Sequence, residues 1–150
     1  CGVFCSRLCI RRIILAKYVV TGTSVTLNGD DISANCARAE LVINAAEVDT
    51  TDFGSGGFTE VIGGLKSGQV TLDFHNDFGA GAVSDLLKDL VGTIGTVTLD
   101  PTGAGAGTAN PVYTAEVLIS SFTPISGAVG DLATFSVTFP TSGSVTFATA

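Results

Sequence analysis

Alternation of apolar and polar residues is the feature that most constrains the fold of this chain. Between Ala37 and Ala45 every second residue is apolar, which places these side chains on one face of an extended strand. The same spacing recurs at Val25 and Leu27, at Val70, Leu72 and Phe74, at Val97 and Leu99, at Phe135, Val137 and Phe139, and at Val145 and Phe147. A further run from Tyr113 to Phe122 is apolar on both faces, which is typical of a central strand or an interface.

One segment follows helical spacing instead. The apolar residues at 83, 86, 87, 90 and 91 lie on one face of a helix, with Ser84 or Asp85 at its start and Gly92 at its end. Turn residues such as Asn28-Gly29 separate the strand runs. We therefore predict one mainly β domain, built as two packed antiparallel sheets in a sandwich- or barrel-like arrangement, with one short helix near 83–91.

Composition excludes several classes of function. The 150 residues carry a net charge of −7, 45% are hydrophobic, and there is one His. A single His leaves little for acid–base catalysis at neutral pH, so we expect no enzyme. Nucleic-acid binding is not expected either, because an acidic chain lacks the clustered Lys and Arg that bind phosphate groups.

The first 17 residues differ from the rest of the chain. They contain Arg7, Arg11, Arg12 and Lys17 without any acid, and the cysteines Cys1, Cys5 and Cys9. The apolar run Ile13–Leu15 is too short for a secretory signal. A lipoprotein start at Cys1 and a metal site on the three thiols are weaker alternatives. We favour residues 1–14 as a non-native leader read through as protein, or as a disordered extension. The codons AGG AGG would encode Arg11-Arg12 and would form a ribosome-binding sequence, and the codon for Leu15, shortly after it, would be the start codon. The domain would then be residues 15–150.

Candidate sites for chemistry are few. Asp73, His75 and Asp77 share one side of a predicted strand and are a weak candidate for a divalent metal. The segment from Asp49 to Gly57 combines carboxylates, hydroxyls and glycines, but it lacks the Lys of a phosphate-binding loop and the spacing of a helix-loop-helix calcium site. Cys36 has no His or second Cys nearby in sequence, which favours a small buried apolar residue over a nucleophile.

The last third of the chain is almost free of charge. Between Val117 and Ala150 the only charged residue is Asp131. Ser, Thr, Gly and Pro interrupt this segment too often for a membrane-spanning helix. Uncharged strands with exposed edges tend to associate with other chains in water. We therefore expect these strands to be buried against other copies of the chain.

Several stretches resemble the tail tube (major tail) proteins of long-tailed bacteriophages. They include the start from Ala16 to Ser33, the stretch from Ala46 through Phe58 and on from Gly64 to Phe74, the predicted helix, and the stretch from Gly127 to Thr134 with its following strand. The resemblance covers about residues 16 to 150. Its elements are individually weak, and their order and spacing carry the comparison.

The resemblance implies a structural virion protein with no cofactor. It would be made in the bacterial host cytoplasm and form rings, usually hexameric, that stack into a hollow tube for DNA. A tape-measure protein and other tail proteins would be its partners, and no membrane is involved. The long loop from Asp49 to Lys66 would reach the next subunit or ring, and we expect the contacts there from the following residues: Asp49, Thr50, Thr51, Asp52, Phe53, Phe58, Leu65 and Lys66.

The acidic balance has a role in such a tube. A channel lined with carboxylates repels phosphate and lets DNA slide. We predict that a good share of four acids on or beside strands face the channel: Asp73, Asp77, Asp100 and Glu116.

Other functions remain open on the sequence alone. Gly, Thr and Val richness also fits an immunoglobulin-like extracellular binding module. A tail-completion or distal ring protein of the same fold would be indistinguishable from a tube subunit. A metal-dependent hydrolase built on Asp73, His75 and Asp77 is a further alternative.

Overall fold

The computed structural model describes residues 19–108 and 110–149. The strands are β1 (Ser24–Leu27), β2 (Asp30–Asp31), β3 (Cys36–Asp49), β4 (Val61–His75), β5 (Ile94–Asp100), β6 (Val112–Leu118) and β7 (Thr134–Ala148). One α-helix, α1 (Val83–Leu90), lies between β4 and β5, and two short 3-10 turns cover Ser33–Asn35 and Phe53–Ser55. The predicted mainly β class with one short helix is confirmed.

The strands form a single antiparallel sheet in the order β2-β1-β5-β6-β7-β4-β3. The two predicted sheets correspond to its two halves, which share β7. The segment of β7 from Thr134 to Pro140 pairs with β4, and the segment after it pairs with β6. We call the β1, β2, β5, β6 side half-sheet A and the β4, β3 side half-sheet B. A long strand that passes from one layer to the other makes the corner of a sandwich.

Both halves contribute to one hydrophobic core. Val97 and Val117 of half-sheet A are at most 1% exposed, as are Leu72 and Phe139 of half-sheet B. All of these residues belong to one buried cluster. A cleft of about 370 Å³ between the layers has Leu41 on one wall and Tyr113 on the other. The core-facing sides of the two half-sheets therefore face each other, and their outer faces point in opposite directions.

Strand β7 continues where the sequence predicted two separate runs. Gly143 takes a φ of +119°, a conformation that favours glycine, and it lies at the bend of the strand. A Cβ atom on Gly143 would come within 3.2 Å of the Glu116 carboxylate. The glycine thus bends the strand and leaves room for a neighbouring side chain without ending the strand.

The helix begins at Val83, as predicted, but its N-cap residue differs from the prediction. Ala82 is the N-cap residue and provides no side-chain hydrogen bond. Asp85 acts from inside the first turn, where its Oδ2 accepts from the Gly81 backbone N–H at 3.1 Å. Ser84 donates to Asn76 and so ties the helix to the preceding loop. Leu87 and Val83 bury the helix against the core.

The predictions for residues 1–14, including the three cysteines and the leader, lie outside the described residues. Within the part of the chain that the structure describes, no helix is long and apolar enough to cross a membrane.

Candidate inter-subunit surface

A two-stranded arm projects beyond half-sheet B. Strands β3 and β4 pair with each other as far as Asp49 and Val61, whereas β7 pairs with β4 only between Gln69 and His75. Residues 45–66, which we call the arm, therefore have no third strand beside them among the described residues. A two-stranded ribbon is marginally stable by itself in water, so this arm gains from contact with something else.

The strands of the arm are longer than the sequence predicted. The segment from Asp49 to Lys66 was expected to be a loop, but β4 already begins at Val61. Leu65 and Lys66 consequently lie on a strand, and the true loop covers residues 50–60. The expectation of a long projecting segment at this place in the chain is retained, with a hairpin in place of a loop.

Hydrogen bonds from Asp52 and Ser55 hold the tip of the arm in one conformation. Asp52 Oδ1 accepts from the Gly54 backbone N–H at 2.8 Å, and the Asp52 N–H donates to Ser55 Oγ at 3.1 Å. This reciprocal pattern is a capping box, which satisfies the free donors at a helix start. Gly56 and Gly57 then turn the chain with positive φ angles of 63° and 89°.

Further bonds close the base of the tip. The Thr50 N–H donates to the Glu60 carbonyl at 2.9 Å, and the Glu60 N–H donates to Thr51 Oγ1 at 3.0 Å. Asp49 Oδ1 accepts from the Thr51 N–H at 2.8 Å, and hydrogen bonding from Thr51 lowers the pKa of Asp49. The carboxylates and hydroxyls that resembled an ion-binding loop are thus occupied in shaping the tip.

The arm exposes apolar side chains to an unusual degree. Phe53 at the tip is fully exposed, Phe58 is 78% exposed and Leu65 is 89% exposed. Val48, Val61 and Ile62 on the arm strands are about half exposed as well. So many exposed large apolar side chains on one projecting hairpin indicate an interaction site, because each large side chain in water forgoes about 1.5–3 kcal/mol of burial free energy.

The arm carries more acidic than basic residues. Its acids are Glu47, Asp49, Asp52 and Glu60, and its one base is Lys66. Lys66 has no carboxylate within ion-pair distance among the described residues. The tip thus combines aromatic rings with negative charge, while the cation lies at the base of the arm.

The four acids predicted to face a channel are not on one surface. Asp73 lies between buried Leu72 and Phe74 on β4, so it points to the outer face of half-sheet B. Glu116 lies between buried Ala115 and Val117 on β6, so it points to the outer face of half-sheet A. Asp73 and Glu116 therefore lie on the outer faces of different half-sheets.

Asp100 differs from the other three acids of the predicted set because it is nearly buried. It is only 9% exposed, and its carboxylate accepts from the backbone N–H groups of Thr102, Gly103 and Gly105 and from Asn110 Nδ2 at 2.7–3.1 Å. Burial raises the pKa of this carboxyl, but these hydrogen bonds outweigh that effect and the pKa lies below its usual value. Asp100 organises the loop after β5.

The remaining acids of the set are exposed or partly exposed. Asp77 lies in the loop after β4, where its Oδ1 accepts from the Gly79 N–H at 2.8 Å. Asp73 lies 3.8 Å from an Arg38 guanidinium nitrogen, and the same guanidinium is paired with Glu40. Arg38 is therefore neutralised between two carboxylates, which leaves the outer face of half-sheet B with net negative charge.

The weak metal candidate is not assembled. Asp73 and His75 lie on the same side of β4, but Asp77 lies beyond the strand with its carboxylate bound to the loop. Among the described residues no group of three His, Cys, Asp or Glu side chains is arranged to hold a metal ion.

Cys36 is half-buried and packs against the core, as expected for a small apolar residue, and burial raises its thiol pKa.

One set of exposed apolar residues was missed in the sequence. Four apolar residues at the end of half-sheet B away from the arm are more than half exposed: Phe78, Ile125, Val129 and Leu132. They lie in the loops after β4 and before β7, where no periodicity marks them. The available signal was the presence of large apolar residues within loops rich in Gly, Ser and Pro.

Comparisons with known proteins give a fold and no close relative. No family model and no curated protein matches the sequence. A chain from the virion of a native gene transfer agent particle matches with a TM-score of 0.69 and 14% identity, over 87% of this chain and 98% of that chain. A chain from the tail of an empty gene transfer agent particle, a structure with C6 symmetry, matches with a TM-score of 0.63 and 16% identity, over 83% and 92% of the two chains.

These matches cover nearly the whole of the compared chains, so the likeness extends to the complete domain and not to a shared hairpin alone. The chain therefore has the fold of protein chains from the virion and the tail of gene transfer agent particles.

Proposed function

We propose that this chain is a tail tube subunit that assembles into stacked hexameric rings and forms a conduit for DNA. The observation that carries the proposal is the apolar arm, projecting from a fold shared with a chain of a C6-symmetric tail. A fold alone does not define function. The arm adds a surface that a monomer has no reason to expose.

The energetics of the arm favour contact with another subunit. Its two phenylalanines alone would remove about 300–500 Å² from water when covered, at about 150–250 Å² for each aromatic side chain. The shaped tip also lowers the entropy cost of docking, since its conformation is already fixed by the Asp52 and Thr51 hydrogen bonds. The arm is therefore the inter-subunit or inter-ring contact, as the resemblance to tail tube proteins implied.

The open strand edges support assembly as well. Strand β3 is 14 residues long and forms one edge of the sheet. Long exposed edges invite pairing with other chains, and proteins usually shorten, charge or cover them. A ring in which neighbouring subunits cover this edge removes that liability.

The charges of both outer faces suit passage of DNA. All 14 acids of the chain lie among the described residues, against the three bases Arg38, Lys66 and Lys88. Arg38 and Lys88 are ion-paired with neighbouring carboxylates. Whichever outer face lines the channel, phosphates would meet carboxylates and hydroxyls, and counterion-release binding would be weak. The channel acid would then be Asp73 for half-sheet B or Glu116 for half-sheet A.

The wider setting follows from the same proposal. A tube subunit would be made in the host cytoplasm, located in the virion, and associated with a tape-measure protein and other tail proteins. Its role would be structural, without catalysis.

Electron microscopy of the purified protein tests the proposal. A tube subunit forms hollow tubes or stacked rings with sixfold symmetry, whereas a tail-completion or distal ring protein forms single rings that do not extend. A monodisperse monomer at high concentration would contradict the proposal and would favour a binding module.

Two variants sharpen this experiment. Replacing both Phe53 and Phe58 by Ser should abolish tubes while the unfolding temperature stays unchanged, because neither side chain is buried in the subunit. Ile94→Ser is the matched control, since Ile94 is 60% exposed and lies away from the arm. Tubes that survive the double replacement would show that the arm is not the contact.

A further inference from the structure

The turn between β1 and β2 combines an Asn with a Gly. Asn28 and Gly29 form this turn with positive φ angles of 53° and 95°, and both residues are exposed. The chain has five Asn residues, and Asn28 is the one that Gly follows. A glycine has no Cβ, so its backbone nitrogen can approach the preceding side chain with little hindrance. The turn therefore places a side-chain amide next to an unhindered backbone nitrogen.

The side-chain oxygen of Asn28 is held against β5. The Asn28 N–H donates to the Thr96 carbonyl at 2.8 Å, and the Thr96 N–H donates to Asn28 Oδ1 at 2.8 Å. The side-chain oxygen thus takes the place that a backbone carbonyl has in a regular antiparallel ladder. A backbone N–H aimed at a carbonyl oxygen stabilises the negative charge that develops on this oxygen during nucleophilic attack. The hydrogen bond from Thr96 therefore activates Cγ of Asn28.

The nitrogen of Gly29 is available for reaction. Its N–H makes no hydrogen bond among the described residues, and a Cβ placed on Gly29 would meet nothing within 4 Å. Asn76 provides the contrast, because both ends of its amide are bound. Its Nδ2 donates to the Pro124 carbonyl at 2.7 Å, and its Oδ1 accepts from Ser84. The amide of Asn76 is tied into the fold, whereas the turn at Asn28 is open to solvent.

We propose that Asn28-Gly29 is a site of spontaneous deamidation in the folded chain. The Gly29 nitrogen attacks Cγ of Asn28 and forms an N–Cγ bond, and its proton leaves with the side-chain nitrogen as ammonia. The product is a cyclic succinimide. Water then opens either carbonyl of the ring and gives aspartate or isoaspartate. One water is consumed and one ammonia is released, without any oxidant or reductant. This modification goes beyond the proposed function and does not depend on it.

The aspartate product adds a charge and preserves the turn. Its carboxylate accepts from the Thr96 N–H as the amide did, and a charged acceptor makes the stronger hydrogen bond. The new charge joins Asp30 and Asp31, which form β2 at one edge of the sheet. Deamidation therefore makes this edge more acidic while the strands stay paired.

The isoaspartate product changes the path of the backbone. The main chain then passes through Cβ and Cγ of residue 28 and gains one methylene. Loop length fixes the register of a hairpin, so the pairing of Leu27 with Asp30 and of Thr26 with Asp31 is lost. Strand β2 has two residues and lies at the edge of the sheet, so its release leaves the core strands in place.

Peptide mass spectrometry of the folded protein tests the site. After incubation in mildly alkaline buffer, the peptide with residue 28 should gain the mass difference between Asn and Asp and separate into two isomers. Asn44 and Asn76 are controls in the same sample, since Ala45 and Asp77 follow them. The rate at Asn28 should exceed the rate at Asn44 by about tenfold or more, which corresponds to about 1.4 kcal/mol in activation free energy. Equal rates at the three sites, or no reaction at Asn28, would overturn the proposal.

Incubation in concentrated urea isolates the contribution of the fold. Urea removes the hydrogen bond from Thr96, so deamidation at Asn28 should be at least as fast in the folded chain as in the unfolded one. Protection of Asn28 by folding would overturn the proposal, even if the unfolded chain reacts.

Amide hydrogen exchange tests the change in the backbone. Asn28→Asp is the matched reference, because it has the charge of the product and an unchanged backbone. The amides of β2 should lose protection in the purified isoaspartate product and keep it in Asn28→Asp, while the amides of β4 keep it in both. Full protection of β2 in the isoaspartate product would contradict the predicted loss of pairing.

Discussion

Replacement of Asp100 by Asn tests how the loop after β5 is held in place. The two residues have the same shape, but Asn carries an NH₂ group where Asp has its second oxygen. In the native chain Oδ1 accepts from Thr102, Gly103 and Asn110, and Oδ2 accepts from the Gly105 N–H at 2.7 Å. With the amide oxygen at the Oδ1 position, the NH₂ group faces the Gly105 N–H, so one bond is lost and two donors face each other.

The magnitude follows from these four bonds. A hydrogen bond to a charged group contributes about 1.5–3 kcal/mol, and a bond to a neutral acceptor about 0.5–1.5 kcal/mol. The variant loses one charged bond and weakens three others, while the exposed loop regains part of the difference from water. We expect the free energy of unfolding to fall by about 2–3 kcal/mol at pH 7.

Urea denaturation of the monomeric protein measures this change. Asp131→Asn is the matched control, because Asp131 is exposed and its carboxylate makes no hydrogen bond among the described residues. The control should change stability by less than about 0.5 kcal/mol. A loss of less than about 0.5 kcal/mol in Asp100→Asn would refute the bonding argument.

The pH dependence provides a second readout of the same prediction. The pKa of Asp100 in the folded chain lies below its usual value of about 3.9. Its carboxylate therefore stabilises the fold above pH 4, and this contribution is lost as the pH falls through the folded pKa. The stability gap between the native chain and Asp100→Asn should narrow on acidification below about pH 4, and a gap constant to pH 2 would contradict the assignment.

Other substitutions test the packing. A Cβ on Gly68 would lie 2.8 Å from the Val42 carbonyl oxygen, so Gly68→Ala should lower the free energy of unfolding by about 1–3 kcal/mol. A Cβ on Gly63 meets nothing within 4 Å, so Gly63→Ala should leave this free energy unchanged. Urea denaturation of both variants measures the difference. Leu87 is 1% exposed, and Leu87→Ala should lower the free energy of unfolding by about 2–4 kcal/mol, with a smaller loss indicating a loosely packed helix. Because burial raises the pKa of the Cys36 thiol, its labelling at pH 8, followed by peptide mass spectrometry, should be slower in the folded than in the unfolded chain; equal rates would contradict that burial.

The strands were predictable because their signal is local. Val70, Leu72 and Phe74 alternate in sequence and are all buried in the structure, since a strand with one face on the core requires this spacing. The continuity of β7 was not predictable from Ser142-Gly143, because a bend and a turn use the same residues. Only pairing with β4 on one side and β6 on the other distinguishes them.

The candidate site was partly predictable. The projecting segment could be located from its place between strands, but its hairpin form depends on pairing between residues far apart in sequence, such as Val48 with Ile62. The role of Asp100 depends on the fold of the following loop, and a carboxylate beside a strand has the same sequence signature whether it faces solvent or holds a loop. The meeting of the loop after β4 with the loop before β7 at Asn76 has no signal in the sequence, because the two loops are far apart along the chain.

A cryo-electron microscopy reconstruction of assembled protein tests the central claim most directly. The account predicts a hollow tube of stacked sixfold rings, with acidic residues of one outer face on the channel wall and the arm of each subunit in contact with a neighbouring subunit. A protein that stays monomeric at every concentration, or a tube whose channel wall is basic, would contradict it.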